Sequence, residues 1–135
     1  MRKKDTVQMY SNKPYLVRAF YDWIVDCDCT PYLMVDAEIE GVEVPEEHIQ
    51  NGQIVLNLKP EAVRDLELGK RHISFRATFG GNEMHIYVPM HAIRAVYAME
   101  NGEGMMFNEE ESEDDYPPEP RLQADGKPHL RLLDE

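Results

Sequence analysis

Cysteine is scarce in this sequence, where Cys27 and Cys29 form a single C-x-C pair. One such pair cannot complete a tetrahedral zinc site, and it falls far below the cysteine density of secreted disulfide scaffolds. We therefore expect buried or idle thiols. No apolar run of about 18 residues occurs, and no apolar segment follows the basic start "MRKKD" as it would in a signal peptide. The sequence predicts a cytoplasmic protein without a membrane partner.

Basic residues are also in short supply, with 14 Lys and Arg against 26 Asp and Glu and a net charge of −12. Residues 1–107 carry 11 basic and 16 acidic side chains, and residues 108–135 carry 3 and 10. Phosphate backbones are bound mainly through Lys and Arg, which release counterions. The composition therefore argues against direct DNA binding and favours basic or neutral peptides as partners.

Catalytic signatures are missing as well. The sequence has no G-x-S-x-G, H-E-x-x-H, P-loop or G-x-G-x-x-G pattern. The five histidines lack ligand spacing within one element, although His72 and His85 could meet across a hairpin. We expect no enzyme activity, no metal and no cofactor.

The first structured segment is "KPYLVRAFYDWIVDC", residues 13–27, with Pro14 suited to the first turn of a helix. At 100° per residue its apolar side chains span an arc of about 200°, which is about twice what a single core contact requires. One interpretation is a deeply buried helix. The other is a helix that packs on its own domain with one edge and on a second copy with the other, which makes a homodimer.

The hydrophobic period then changes to 2, which predicts antiparallel strands in "YLMVDAEI", "QIVLNL", "HISFRATF" and "EMHIYVP". About one helical turn is expected around Ala62, a second helix in "PMHAIRAVYAMENG", and a last short strand in "GEGMMF". The predicted fold class is mainly β with two helices, arranged as a small, strongly bent sheet or barrel.

Within "SFRATF", period 2 places Phe75, Ala77 and Phe79 on a core face and Ser74, Arg76 and Thr78 on the opposite face. A small curved sheet can bind an extended peptide along an edge or groove. Arg76 is interpreted either as a solvated strand residue or as a contact for a ligand carboxylate.

The pattern ends at Asn108, because six of the seven residues 109–115 are acidic and "YPPEP" follows. Charge repulsion and three prolines predict an extended linker. The last ten residues, "GKPHLRLLDE", form a small apolar cluster with a cation in it. The predicted organisation is an N-terminal extension (1–12), a domain (13–107), a flexible acidic linker (108–126) and a disordered tail that ends in a docking motif (127–135).

Several segments, in order, resemble the SspB family of ClpXP protease adaptors: "KPYLVRAFYDWIVD", "TPYLMVDAEIEGVEVP", "NGQIVLNL", "ISFRATFGG", "VYAMENGEGMMF" and "KPHLRLL". The resemblance covers about residues 13–107 and the last eight or so. It implies a small Sm-like or SH3-like β-barrel that dimerises through its N-terminal helix and binds the ssrA degradation tag. It further implies a flexible tail that docks on the N-terminal zinc-binding domain of ClpX, and it leaves ribosome association open.

The resemblance also implies residue roles. The expected tag-groove residues are Gln53, Val55, Leu56, Asn57, Ala62, Ser74, Arg76, Ala77 and Thr78. The expected dimer contacts are Tyr15, Leu16, Ala19, Phe20 and Trp23. The expected ClpX-docking residues are Pro128, Leu130, Arg131, Leu132 and Leu133.

One difference from the family lies in the groove, because "FNARF" is usual where this chain has "FRATF", so the cation has moved two residues along the strand, about 7 Å. A different class of function, an Sm-like module that binds RNA or a ribonucleoprotein, is the alternative that the acidic composition disfavours.

Overall fold

The structure, a computed structural model, describes residues 7, 9–107 and 112–118 of the 135-residue chain. These residues form one α-helix, seven strands and four short 3₁₀ helices. The helix and strands are α1 (Lys13–Asp26), β1 (Pro31–Asp36), β2 (Gln53–Asn57), β3 (Arg64–Leu68), β4 (His72–Phe79), β5 (Asn82–Pro89), β6 (Ile93–Ala98) and β7 (Gly104–Met106). The 3₁₀ helices span Glu46–His48, Pro60–Ala62, Met90–Ala92 and Glu113–Asp115.

The predicted first helix is confirmed, with a proline in its first turn. Val17 and Ile24 lie on its inner face and are buried in the core. The Lys13 side chain is buried as well, and its Nζ donates hydrogen bonds to the carbonyl oxygens of Met90 (3.3 Å) and Ile93 (2.8 Å). These bonds satisfy part of the donor capacity of an ammonium group that would be costly to bury alone.

The strands form two antiparallel sheets. The larger sheet has the order β2-β1-β6-β7 and the smaller has the order β3-β4-β5. Their inner faces share one core, in which Leu33, Val96, Phe75 and Ile86 are at most 1% exposed. The prediction of a mainly β domain is confirmed, whereas the strands of the described residues do not close into a barrel.

The prediction of a second helix over "PMHAIRAVYAMENG" is wrong. Met90–Ala92 forms one 3₁₀ turn, and β6 follows, pairing with β1 on one side and β7 on the other. Five of the six β6 residues are buried, because the strand lies inside its sheet and both of its faces are covered. A strand buried on both faces has no alternation of polar and apolar residues, so its sequence can imitate a helical pattern.

Other short elements match the predictions. The turn at Ala62 is the 3₁₀ helix Pro60–Ala62, and "GEGMMF" contains the short strand β7. β3 was not predicted, because "RDLEL" shows little apolar alternation; it lies at the edge of the smaller sheet, where most of its residues are exposed. α1 is the longest helix in the described part of the chain, and no helix there combines the length and apolar character needed to cross a bilayer.

Residues 112–118 differ from the extended linker predicted for this stretch. Glu113–Asp115 forms a 3₁₀ helix, and the Tyr116 side chain is 4% exposed and belongs to the hydrophobic core. An aromatic ring that enters the core offsets the entropy cost of ordering these few residues. The remainder of the predicted linker, residues 108–111 and 119–126, lies outside the described residues.

Candidate functional site

Two open cavities flank the segment between β1 and β2. One has a volume of about 420 Å³ and is lined by His48, Gln50, Asn51, Gln53, Ile54 and Val55. The other has a volume of about 440 Å³ and is lined by residues 44–47 together with Phe79, Asn82, Glu83 and Met84. The His48 and Phe79 rings lie 5.6 Å apart between these two linings. We call these two neighbouring cavities together the candidate groove.

β2 supplies the edge of the larger sheet at the candidate groove. Its residues alternate, so that Gln53, Val55 and Asn57 are exposed while Ile54 and Leu56 are buried. The turn before it is tight, because Asn51 and Gly52 both have positive φ and Gln50 and Gln53 exchange backbone hydrogen bonds of 2.8 and 3.0 Å. Leu56 is 2% exposed, so a ligand could reach it only through its backbone.

The remaining predicted groove residues lie outside this sheet. Ala62 is exposed at the end of its 3₁₀ turn. Ser74, Ala77 and Thr78 are on β4 in the smaller sheet, where Ser74 is buried at 7% exposure and Thr78 is exposed. Ala77 pairs with Met84 and packs against the core. The predicted residues therefore belong to two sheets and to the 3₁₀ turn at Ala62.

Arg76 is the predicted carboxylate contact, and the structure places it between two acidic side chains. Its guanidinium forms an ion pair with Asp65 on β3, and its Nη1 lies 3.7 Å from the Glu83 carboxylate on β5. The side chains of all three residues are between 42% and 69% exposed, so solvent screens both pairs. Asp65 and Glu83 could not be assigned to this site from the sequence, because their approach to Arg76 depends on strand register.

The outward face of α1 carries the predicted dimer contacts. Tyr15 is 60% exposed and Trp23 is 47% exposed, and Ala19 is also exposed. Leu16 and Phe20 are half-buried, and the Phe20 ring meets the Trp23 ring edge-on at 5.7 Å. Aromatic side chains left uncovered on one helix face are typical of a surface that contacts another protein.

The two histidines that could have met across the β4–β5 hairpin lie apart. His72 is opposite Pro89 and stacks on Tyr87 at 4.6 Å, whereas His85 is opposite Arg76, so the two histidines do not meet across the hairpin. Within the described ranges no group of three or more His, Cys, Asp or Glu side chains could hold a metal ion. Burial raises the pKa of the Cys29 thiol, and nearby Glu100 adds to this effect, which keeps the thiol protonated and weakly reactive.

The predicted ClpX-docking residues, Pro128 to Leu133, lie outside the described residues, so their placement stays a prediction.

The sequence matches known proteins over most of its length. The family model described as "Stringent starvation protein B" matches residues 11–129. A relative from Haemophilus influenzae (strain ATCC 51907 / DSM 11121 / KW20 / Rd), named "Stringent starvation protein B homolog", is 51% identical over 108 residues, which cover 80% of this chain and 72% of the relative. The match takes in α1, both sheets and the buried Tyr116 segment, and the chain belongs to the stringent starvation protein B family.

Proposed function

We propose that the protein is a non-enzymatic delivery adaptor of the cytoplasm. The domain binds ssrA-tagged polypeptides, and the C-terminal motif docks on the N-terminal zinc-binding domain of ClpX, so that tagged substrates reach the ClpXP protease. This is the function that the family resemblance implies, and membership of the family supports it.

The observation that carries the proposal is the exposed edge of β2 beside the candidate groove. β2 pairs with β1 along one side, and beyond Gln53 no other described strand pairs with its second side. Exposed backbone groups at such an edge can hydrogen-bond to an extended peptide, and the neighbouring cavities can accept alternate side chains. A tag is an unstructured peptide, which suits this mode of binding.

Tethering accounts for enhanced degradation without any catalytic group. A substrate held by an adaptor that is itself docked meets ClpX at an effective concentration on the order of millimolar. A homodimer formed through the outward face of α1 would present two such tails. No cofactor is needed for any of these steps.

The test uses the full-length protein and a variant that ends at Lys127. Binding of a fluorescent ssrA peptide is measured by anisotropy, and degradation of a tagged substrate by ClpXP is measured with and without each protein. The truncated variant is expected to bind the peptide with unchanged affinity and to lose the enhancement of degradation. Equal enhancement by both proteins would refute the tethering role, and preferential binding of RNA at low salt would favour the nucleic-acid alternative.

A further inference from the structure

Residues 112–118, of which Tyr116 is buried, lie inside a stretch whose composition argues against folding. Tyr116 is the only Phe, Trp or Tyr side chain between Asn108 and Glu135. It is 4% exposed and packs in the hydrophobic core. We call residues 112–118 the strap.

The strap has its own local structure. The Ser112 Oγ accepts a hydrogen bond from the Asp114 N–H at 3.3 Å, and the Asp115 carboxylate accepts one from the Ser112 N–H at 2.8 Å. This capping box satisfies donors at the start of the 3₁₀ helix Glu113–Asp115. The helix ends at Asp115, and the side chain of the next residue, Tyr116, lies in the core.

Two elements of the domain hold the strap from outside. The Arg71 guanidinium donates hydrogen bonds to the carbonyl oxygens of Pro117 (2.8 Å) and Tyr116 (3.4 Å). The Ser11 N–H, just before α1, donates to the carbonyl oxygen of Asp115 at 2.7 Å. Because Pro117 and Pro118 have no N–H, this part of the backbone offers only acceptors, and a guanidinium offers only donors. The chemistry of the two partners is therefore complementary.

We propose that the strap fixes the start of the C-terminal tether at Pro118, next to Arg71, instead of at Phe107 where β7 ends. The proposal rests on the proposed adaptor function, since it concerns the tether that joins the domain to the docking motif. Twenty residues separate Phe107 from Pro128, and nine separate Pro118 from Pro128. Because effective concentration falls roughly as the −3/2 power of tether length, the strap raises it about threefold.

The strap also sets where the tether leaves the domain. Arg71 directly precedes the first residue of β4, whereas Phe79 of the candidate groove is its last residue. At about 3.3 Å per residue the eight residues of β4 separate these ends by roughly 23 Å. The tether would therefore start at one end of the smaller sheet, and the tag would bind toward the other end.

The experiment compares the full-length protein with two variants. Tyr116→Ala removes the buried ring, and Arg71→Ala removes the guanidinium that donates hydrogen bonds to the strap. Tyr10→Ala is the matched control, because Tyr10 is 58% exposed. Amide hydrogen exchange is followed at Ser11 and Asp115. The Ser11 N–H donates to the Asp115 carbonyl oxygen of the strap, and the Asp115 N–H donates to the Ser112 carbonyl oxygen within it. ClpXP degradation of a tagged substrate is measured over a range of adaptor concentrations.

Both strap variants are expected to exchange these amides at least tenfold faster and to need about threefold more adaptor for half-maximal delivery, while Tyr10→Ala matches the unmodified protein. Equal exchange at Ser11 and Asp115 in all four proteins would overturn the strap. Faster exchange with unchanged delivery would overturn its role in the tether. If the unmodified protein does not stimulate degradation at all, the adaptor function and the tether role both fail, and the exchange data still decide whether the strap exists.

Discussion

At the scale of single residues, Arg76 shows how neighbouring charges set what a cation can bind. Its guanidinium is shared between Asp65 and Glu83, so a ligand carboxylate must compete with both. Each pair is exposed and contributes little to stability, on the order of 0.5 kcal/mol. Competition for the cation therefore matters more for binding than for folding.

Substitutions of Asp65 and of Arg76 should change the affinity for the tag in opposite directions. Asp65→Asn removes one competing charge and suits the positive φ of 54° at this position, so we expect about twofold to fivefold tighter binding of an ssrA peptide. Arg76→Ala should weaken binding by a similar factor and flatten its dependence on salt. Peptide anisotropy at two salt concentrations measures both, with Glu67→Gln on the same strand as control. Unchanged affinity in both variants would mean that Arg76 is only a solvated strand residue.

Glu100 gives the stability of the fold a dependence on pH. Its carboxylate accepts hydrogen bonds from the N–H and the Oγ1 of Thr30, both at 2.8 Å, and these bonds lower its pKa in the folded protein. Because the folded pKa is lower than the unfolded one, the unfolded state binds the proton more readily. The stabilisation is therefore complete above the ordinary glutamate pKa of about 4.3, and it is lost as the pH falls through the lowered pKa.

Removing this carboxylate should remove that part of the acid dependence. In Glu100→Gln the free energy of unfolding should lie below that of the unmodified protein at pH 7, and the difference should shrink toward pH 3. Urea denaturation at a series of pH values measures it, and Thr30→Val, which removes one of the two bonds, should give an intermediate profile. Parallel profiles for Glu100→Gln and the unmodified protein would contradict this account.

At the scale of elements, β7 depends on a close approach between backbones. Gly104 lies opposite Tyr97 of β6, and a Cβ added at Gly104 would collide with the Val96 carbonyl oxygen and lie 2.5 Å from the Tyr97 Cα. These contacts are backbone, which cannot move away as a flexible side chain would. Glycine is therefore required where β7 joins the sheet.

Gly104→Ala should displace β7 and lower the free energy of unfolding by roughly 1–3 kcal/mol. Urea denaturation measures the loss, and hydrogen exchange should show reduced protection at Phe107, whose N–H donates to the Arg94 carbonyl oxygen. Met106→Ala is the control, since Met106 lies on the same strand and is 77% exposed, and it should change stability by less than about 0.5 kcal/mol. An equally small effect of Gly104→Ala would show that β7 tolerates displacement.

Elements with local signals were predictable, and those without them were not. α1 has a proline entry and an apolar arc, and β4 and β5 surround a Gly-Gly turn, so each follows from its own residues. β6 became a strand because it pairs with β1, about 60 residues earlier in the chain. Its local sequence fitted a helix equally well, and long-range pairing overrides such a preference.

At the scale of the whole molecule, the outward face of α1 is the surface on which the predicted homodimer depends. Trp23→Asp should give a monomer, because a carboxylate buried at a symmetric interface would face its own copy. Sedimentation equilibrium measures the mass. Met106→Asp places the same charge at another exposed apolar position and should stay dimeric.

Tag binding per subunit should survive in Trp23→Asp, since α1 does not line the candidate groove. A dimer that persists in this variant would move the interface elsewhere. Loss of peptide binding together with dimerisation would indicate that the groove needs the second subunit.

The sequence by itself determined the class of the protein, because composition, the hydrophobic period and the Gly and Pro residues between elements are local properties. A mainly β domain behind an amphipathic helix, followed by an acidic tail, could be recognised without coordinates. Only the tertiary structure decided which side chains meet. It placed Arg76 between Asp65 and Glu83, buried the Lys13 ammonium against carbonyl oxygens, and inserted Tyr116 into the core. These contacts join residues that are distant in the chain, and they stabilise the protein only once the sheets have assembled.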